Sequence, residues 1–555
     1  MLGNDTLLII AIGLVLPSGV ILALQYLFRQ EISFPKHVPV VGVRDEMFSV
    51  ARASCRQLTN GMTTLLEGYR NHAQHNRPFV LYDPSAQQEL LLPVQHIRWF
   101  SEQPDIKLNS LGVREERHAV RYLHMGDQVE LESTTRFIRY ACNDRLNRHL
   151  EDLQGVLYGE IRRGIDSAFE RQSQAKDDGW REVSLHGSMQ EVVFPAMCRV
   201  FLGKGLGDSD GERARVLTTF QWYLMAMGLS TIFIGELPRV LKGLVARVVR
   251  VPLAYYRTKT LQVLVPLVES RLSSRTKQAS DDEDGSNFID HCAKLSEKRA
   301  VGGRSGETAA PELIAEWIMM LGFAGSSSTI IQATNLLLDL VHAPPELEAL
   351  QRLRHEAETT VHGLGDPNDN SKWTQASSFR EQILADSAIR ESLRLHPILI
   401  KGLTKEVVAP NGLELPDDNH THLPAGSWVG VPVLGIHQDE RFYPQAAEYQ
   451  PFRFVKDAKP SHTTATGGTY EDEPEAAKPT TTYLGFGYGR HACPGRWFAV
   501  LILKMILSYV TVHYDIQPTG PPPQTNVLGD AVLPPFRATM KVRRRKVAQT
   551  ARDGV

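Results

Sequence analysis

Five cysteines in 555 residues (Cys55, Cys142, Cys198, Cys292 and Cys493) are too widely spaced, and odd in number, for a disulfide framework. No C-x-x-C pair occurs, which removes the usual zinc and dithiol-redox sites. Unpaired cysteines place the working part of the chain in a reducing compartment. All but Cys493 are expected to be buried as small apolar residues. A dominant charge sign is also lacking: 61 Lys plus Arg against 63 Asp plus Glu leaves −2, so no basic field marks a nucleic-acid partner. Neither a G-x-G-x-x-G fingerprint nor a P-loop is present, which removes the common nucleotide-binding signatures. Disorder of the whole chain is excluded by 42% apolar and 22% charged residues, enough for a large core.

What is present begins with an apolar run. Residues 7–28 (LLIIAIGLVLPSGVILALQYLF) carry no charge, and as a helix they reach about 33 Å, enough to cross a bilayer. The run is longer than a signal-peptide core and lacks a basic start, so it is expected to be an uncleaved anchor. Arg29 and Lys36 follow it and Asp5 precedes it, which orients the main body to the cytosol. Pro35, Pro39 and Gly42 then predict a stiff connector. The expected organisation is an anchor over 1–28, a hinge over 29–45, a catalytic domain over 46–546 and a tail over 547–555, with Arg543, Arg544, Arg545 and Lys546 solvated. Helical periodicity dominates, and strand-like runs occur at 79–82, 90–92 and 428–434. Polar stretches at 273–287 and 363–375 read as surface loops, and 456–482 as a disordered insertion. The fold class is mainly α with a small β-sheet region.

The strongest chemical signal is FGYGRHACPG at 486–495. Glycines at 485, 487 and 489 allow tight turns and a close approach to a flat ligand. Cys493 stands before a helix opening with Pro494, where amide N–H groups and the dipole favour a thiolate. One soft anionic sulfur, without other ligands at metal-binding spacing, suits a single axial bond to haem iron. Glu391 and Arg394 share a helix face at i, i+3 spacing. Pro311 opens a long apolar run to His342, interrupted by GFAGSSST at 322–329. That patch suits either ligand approach or close packing of two helices.

With Phe486, Gly489, Cys493 and Gly495 in the pattern F-x-x-G-x-R-x-C-x-G, the chain resembles the cytochrome P450 haem-thiolate monooxygenases. His491 stands where most members have Arg. The resemblance implies the P450 fold, with haem b bound through the Cys493 thiolate and a propionate on His491. It places Glu391, Arg394 and Arg453 in a buried salt-bridge network behind the haem. The 311–342 helix becomes the one over the distal face. There Ala324 and Gly325 match the family, while Ser327 replaces an acid and Ser328 the proton-relaying threonine, with Thr329 able to share that role. Segments 398–403 and 526–533 would line the substrate pocket. The apolar stretch 216–255, which composition alone reads as core, would roof the pocket and touch the bilayer. Segments 178–183, 199–203 and 436–443 resemble fungal members that oxidise diterpenes, indole-terpenes and other polycyclic secondary metabolites.

The expected activity is therefore oxidation of a lipophilic polycyclic metabolite with O2. Only 62 residues follow Cys493, too few for a flavin domain, so electrons would come from a separate NADPH-cytochrome P450 reductase. The expected location is the endoplasmic reticulum membrane, single-pass, with the catalytic domain cytosolic. Two alternatives stay open: the same fold performing desaturation, ring coupling or isomerisation, and a non-catalytic membrane-tethered haem or lipid carrier.

Overall fold

A computed structural model describes residues 34–545 apart from 84, 86, 118, 124–137, 148–149, 172–178, 204–209, 236, 238, 278–287, 300–309, 363–375 and 456–474. The expected anchor 1–28, the loop 363–375 and the tail 547–555 lie outside the described residues. Helices that frame the site are α1 (Ser49–Asn71), α2 (Leu150–Arg171), α3 (Leu185–Leu202), α4 (Asp210–Gly235), α5 (Arg239–Lys277), α6 (Pro311–Val341), α7 (Ile383–Leu395) and α8 (Arg496–His513). Pro311 and Glu312 in the first turn of α6 start the helix where the chemistry of a terminus favours them. The helix stops at His342, whose N–H reaches back to the Leu338 carbonyl at 3.2 Å.

Strands are short: β1 (Phe79–Tyr82), β2 (Gln88–Leu91), β3 (Leu108–Asn109), β4 (Arg181–Ser184), β5 (Gly402–Val407), β6 (Leu413–Glu414), β7 (His422–Leu423), β8 (Trp428–Val431), β9 (Tyr514–Pro518), β10 (Asn526–Leu528), β11 (Ala531–Leu533) and β12 (Thr539–Arg544). The largest sheet runs β1-β2-β8-β5-β3, with β2 and β8 parallel. A three-stranded sheet runs β4-β12-β9, and β6-β7 and β10-β11 are hairpins. Two apolar cores result. The larger joins α2, α3, α6 and α8 through residues such as Phe169, Trp317 and Ile506. The smaller packs α1 against the five-stranded sheet through Leu65, Phe79 and Val429. The molecule is thus mainly helical with small sheets, as the sequence predicts.

Several local expectations are corrected. The strand-like run at 428–434 ends at Val431, because Pro432 cannot donate to the ladder and introduces a short helix, Val433–His437. The polar stretch after 273 is helical to Lys277, its Ser274 hydroxyl donating to the Ser270 carbonyl. Of the 456–482 segment, 456–474 lies outside the described residues, whereas Ala476 and Ala477 beyond it are buried in the larger core. Arg543 and Arg544 are strand residues of β12, paired with Asp515 and Asp166, and Arg545 donates to the Val512 carbonyl. Cys142, Cys198 and Cys292 are buried, but Cys55 is exposed on α1.

Candidate functional site

The cysteine loop is fixed by its own backbone. The Gly487 N–H donates to the Leu484 carbonyl at 2.9 Å, and the Cys493 N–H to the Phe486 carbonyl at 2.8 Å. Gly487 and Gly489 take φ of +76° and +67°, the left-handed region that a side chain disfavours. At Gly489 a Cβ would also come 3.0 Å from Ser101 Cβ. Gly495, by contrast, has open space where its Cβ would stand, and its N–H donates to the Cys493 thiol. Phe486 packs, half-buried, against the larger core. The five loop residues expected to surround a haem are therefore held in one turn before α8.

Protein surrounds the Cys493 thiol on most sides, yet the side chain is accessible. Burial raises its pKa above the ordinary thiol value, outweighing the Gly495 N–H and the Arg496 cation that lower it. The helix start alone therefore does not make the thiolate, contrary to the expectation from sequence. A metal ion bound to sulfur removes the proton outright, so a haem iron held by Cys493 would supply the stabilisation that the loop lacks.

Lys405, Arg139 and Arg490 act on His491 of the loop, and Asp105 acts on His491, Arg490, Lys405 and Arg114, the last also beside Arg139. Asp105 Oδ1 accepts from Arg490 Nη2 at 2.9 Å and lies 3.1 Å from His491 Nε2. Burial and the neighbouring Lys405 and other cations push His491 down to about 4, so it is neutral at pH 7. Burial and Arg490 bring Lys405 down to about 8. Arg114, Arg139, Lys405 and Arg490 outnumber Asp105 and leave a positive excess, which the two propionates of a haem b would offset in part. The residues present thus fit that cofactor: Cys493 for the iron, glycine turns for the flat face, and the cationic group for the propionates. Arg114, Lys405 and Asp105 had no sequence signal, since they join the loop only through the fold.

Behind the loop the expected ion network is complete. Arg394 donates to both Glu391 oxygens, at 2.7 and 2.8 Å, and Arg453 Nε donates to Glu391 Oε1 at 2.9 Å. Glu391 and Arg394 are fully buried.

On α6 the small-residue patch packs closely against a neighbouring helix on one face. At Gly322 a Cβ would strike the Phe220 ring of α4 at 2.5 Å. Ala324 is exposed in the middle of α6, and Ser328, half-buried, lies one turn further on the same face. The Ser328 hydroxyl donates to the Ala324 carbonyl at 2.9 Å. Thr329 is buried at 3% exposure, so its hydroxyl belongs to the packed side.

Comparison with known proteins agrees with this geometry. The family model described as "Cytochrome P450" matches residues 133–542. The cytochrome P450 monooxygenase fsoD of Humicola fuscoatra is 73% identical over 548 residues, covering 98% of this chain and 99% of its own length. The cytochrome P450 monooxygenase efuH of Hormonema carpetanum is 52% identical, covering 92% of this chain and 86% of its own. The cytochrome P450 monooxygenase polB of Polytolypa hystricis is 35% identical, covering 92% and 94%. With a cysteine loop, a buried Glu–Arg–Arg network and full-length likeness to these fungal enzymes, the chain belongs to the cytochrome P450 family and is a monooxygenase.

Proposed function

We propose that the protein oxidises a lipophilic polycyclic metabolite of the terpenoid type, taken up from the endoplasmic reticulum membrane, using O2 and electrons from NADPH-cytochrome P450 reductase. The observation that carries this reading is the outer face of α4 and α5. Trp222, Met225, Leu229 and Phe233 on α4, and Leu244, Val248, Val251 and Tyr255 on α5, are each 45–73% exposed. Their spacing of three and four residues gives each helix one apolar stripe. The other side of α4 is buried, with Phe220 against Gly322 of α6. An apolar surface this extended suits a lipid medium, and it leads inward to the helix carrying Ser328. Composition read this stretch as core; one stripe of each helix faces out, while Phe220, Tyr223 and Leu224 are buried.

Haem bound through Cys493 supplies the chemistry, placing one atom of O2 in a C–H bond and reducing the other to water. The chain's own part is to hold and orient. The Ser328 hydroxyl, on the accessible face of α6, holds a proton that rotation can turn from the Ala324 carbonyl toward the open side. Ser328→Ala is expected to lower product formed per NADPH consumed by about 10²-fold, the range of general acid catalysis, with Ser328→Thr close to the wild type. Equal coupling in Ser328→Ala would remove the relay role.

The function is tested by co-expression with a reductase, feeding polycyclic terpenoids and following mass under labelled dioxygen. Label in the product supports hydroxylation; turnover without label favours desaturation, ring coupling or isomerisation, for which Ser327 in place of the family's acid argues. The membrane face has its own test. In a chain starting at Phe34, Leu229→Glu with Phe233→Glu and Val248→Glu is expected to cut binding to phospholipid vesicles by at least about tenfold, because each buried apolar side chain is worth about 1.5–3 kcal/mol. Unchanged sedimentation with vesicles would count against this face as the membrane contact.

A further inference from the structure

His437, at the end of the short helix Val433–His437, is fully buried and uses both ring nitrogens. Nδ1 lies 2.9 Å from the Arg394 carbonyl, and Nε2 lies 2.9 Å from the Leu484 N–H. A carbonyl only accepts and an amide N–H only donates, so the tautomer is determined: Nδ1 carries the proton and Nε2 is the acceptor. Arg394 is in the last turn of α7, where carbonyls lack helix partners, so the ring caps that helix. The contact is returned, because Arg394 Nη1 donates to the His437 carbonyl. Leu484 is the residue at which the cysteine loop begins. Its carbonyl accepts the Gly487 N–H, and two residues on the Phe486 carbonyl accepts the Cys493 N–H. Tyr483, just before, stacks on the His437 ring at 6.1 Å between centroids and 17° between planes.

We propose that His437 is a positioning residue for the thiolate: its neutral ring transmits the fixed position of the Glu391–Arg394–Arg453 network to the first turn of the cysteine loop and so sets where Cys493 meets the iron. The proposal rests on Cys493 being the haem ligand. The ring stays neutral because burial and the Arg394 cation, with Arg390 adding to them, hold its pKa down at about 3. A protonated ring would aim Nε2–H at the Leu484 N–H, donor against donor.

The two hydrogen bonds separate by substitution. In His437→Gln the amide oxygen reaches the place of Nε2 and keeps the hold on Leu484. In His437→Asn the amide nitrogen takes the place of Nδ1 and keeps only the helix cap, while His437→Phe keeps neither. The full-length protein is purified with its haem, reduced and exposed to carbon monoxide. Wild type and His437→Gln are expected to show the red-shifted thiolate band alone. His437→Asn and His437→Phe are expected to add a shorter-wavelength band of lost thiolate, and to release haem to a scavenger about 10-fold faster or more, the scale seen when outer-shell partners of metal ligands are removed. Unchanged spectra and haem release in both Asn and Phe variants overturn the proposal. So does equal damage in all three variants, which would mark His437 as core packing only. If His437→Phe does not fold, the Asn and Gln pair decides alone. A wild type without the red-shifted band overturns the ligand assignment itself, a failure distinct from that of His437.

Discussion

Cys493→Ala is expected to abolish the red-shifted carbon monoxide band and to reduce oxidation to background, the largest single effect on function in the molecule. Three features of the loop make the result sharp. Among the described residues no group of three or more His, Cys, Asp or Glu is placed to hold a metal ion of its own. The loop's geometry is carried by backbone bonds from Gly487 and Cys493, which the alanine retains, so the loss is chemical and not a collapse of the turn. The thiol is also held above its ordinary pKa by burial, so a bound iron would itself have to make the sulfur anionic. Cys493→Ser separates ligation from shape: a hydroxyl of similar size leaves packing intact but gives a harder ligand, and the red-shifted band is expected to be absent there too. Spectra are read on protein whose haem content has been measured independently. A red-shifted band surviving in both variants would mean that another group ligates the iron.

How much of this site was legible beforehand depended on what kind of signal each residue leaves. The cysteine loop could be read because its constraints are local: left-handed turns at Gly487 and Gly489 need glycine, whatever the rest of the chain does. The α6 start at Pro311 and the β1 strand were readable for the same reason, a terminus and a short β-branched or aromatic run. The cationic group of Arg114, Arg139, Lys405 and Arg490 was not readable, since strand pairing and loop packing, not sequence spacing, bring residues far apart in the chain near the loop and Asp105. The core reading of 216–255 holds for one side, where Phe220, Tyr223 and Leu224 are buried, but the outward face of α4 and α5 could not be told from composition because a 3.6-residue apolar period is identical for a helix facing a core and one facing lipid. Arg543 to Arg545 looked like a tail because charge runs usually are; their partners Asp166, Asp515 and the Val512 carbonyl lie in α2, β9 and α8. His437 stood in the sequence only as part of the 436–443 segment, and nothing there marked its role, as a lone histidine after an apolar run reads as ordinary core.

Arg394→Ala is expected to yield protein that largely fails to retain haem and accumulates as aggregate, the largest effect on stability. The guanidinium makes two hydrogen bonds to Glu391 and others to the carbonyls of His437 and Ala446. It also lies over the Tyr443 ring, 4.9 Å from its centroid. Removing it leaves the Glu391 carboxylate with no exposure and only Arg453 and the Gln450 N–H as donors. Two buried carbonyls lose their donors at the same time. Breaking one buried ion pair costs about 3–5 kcal/mol because the survivor keeps its desolvation cost. Orphaned carbonyls add about 1–3 kcal/mol each. Native stability is about 5–15 kcal/mol, so the sum consumes most of the margin. Arg453→Ala is expected to be milder: that side chain is 10% exposed, so water can replace part of what it gives, and Arg394 still neutralises Glu391. Arg394→Lys is expected to fall between them, since an ammonium cannot span both Glu391 oxygens and the two carbonyls at once. The measurement is soluble haem-to-protein ratio with the urea midpoint for whatever folds. The order Arg394→Ala worst, Arg394→Lys next and Arg453→Ala mildest follows from burial and donor geometry alone. An Arg394→Ala protein with full haem and an unchanged midpoint would show that the network contributes charge balance without stability, and the account of how the loop is held would have to start elsewhere.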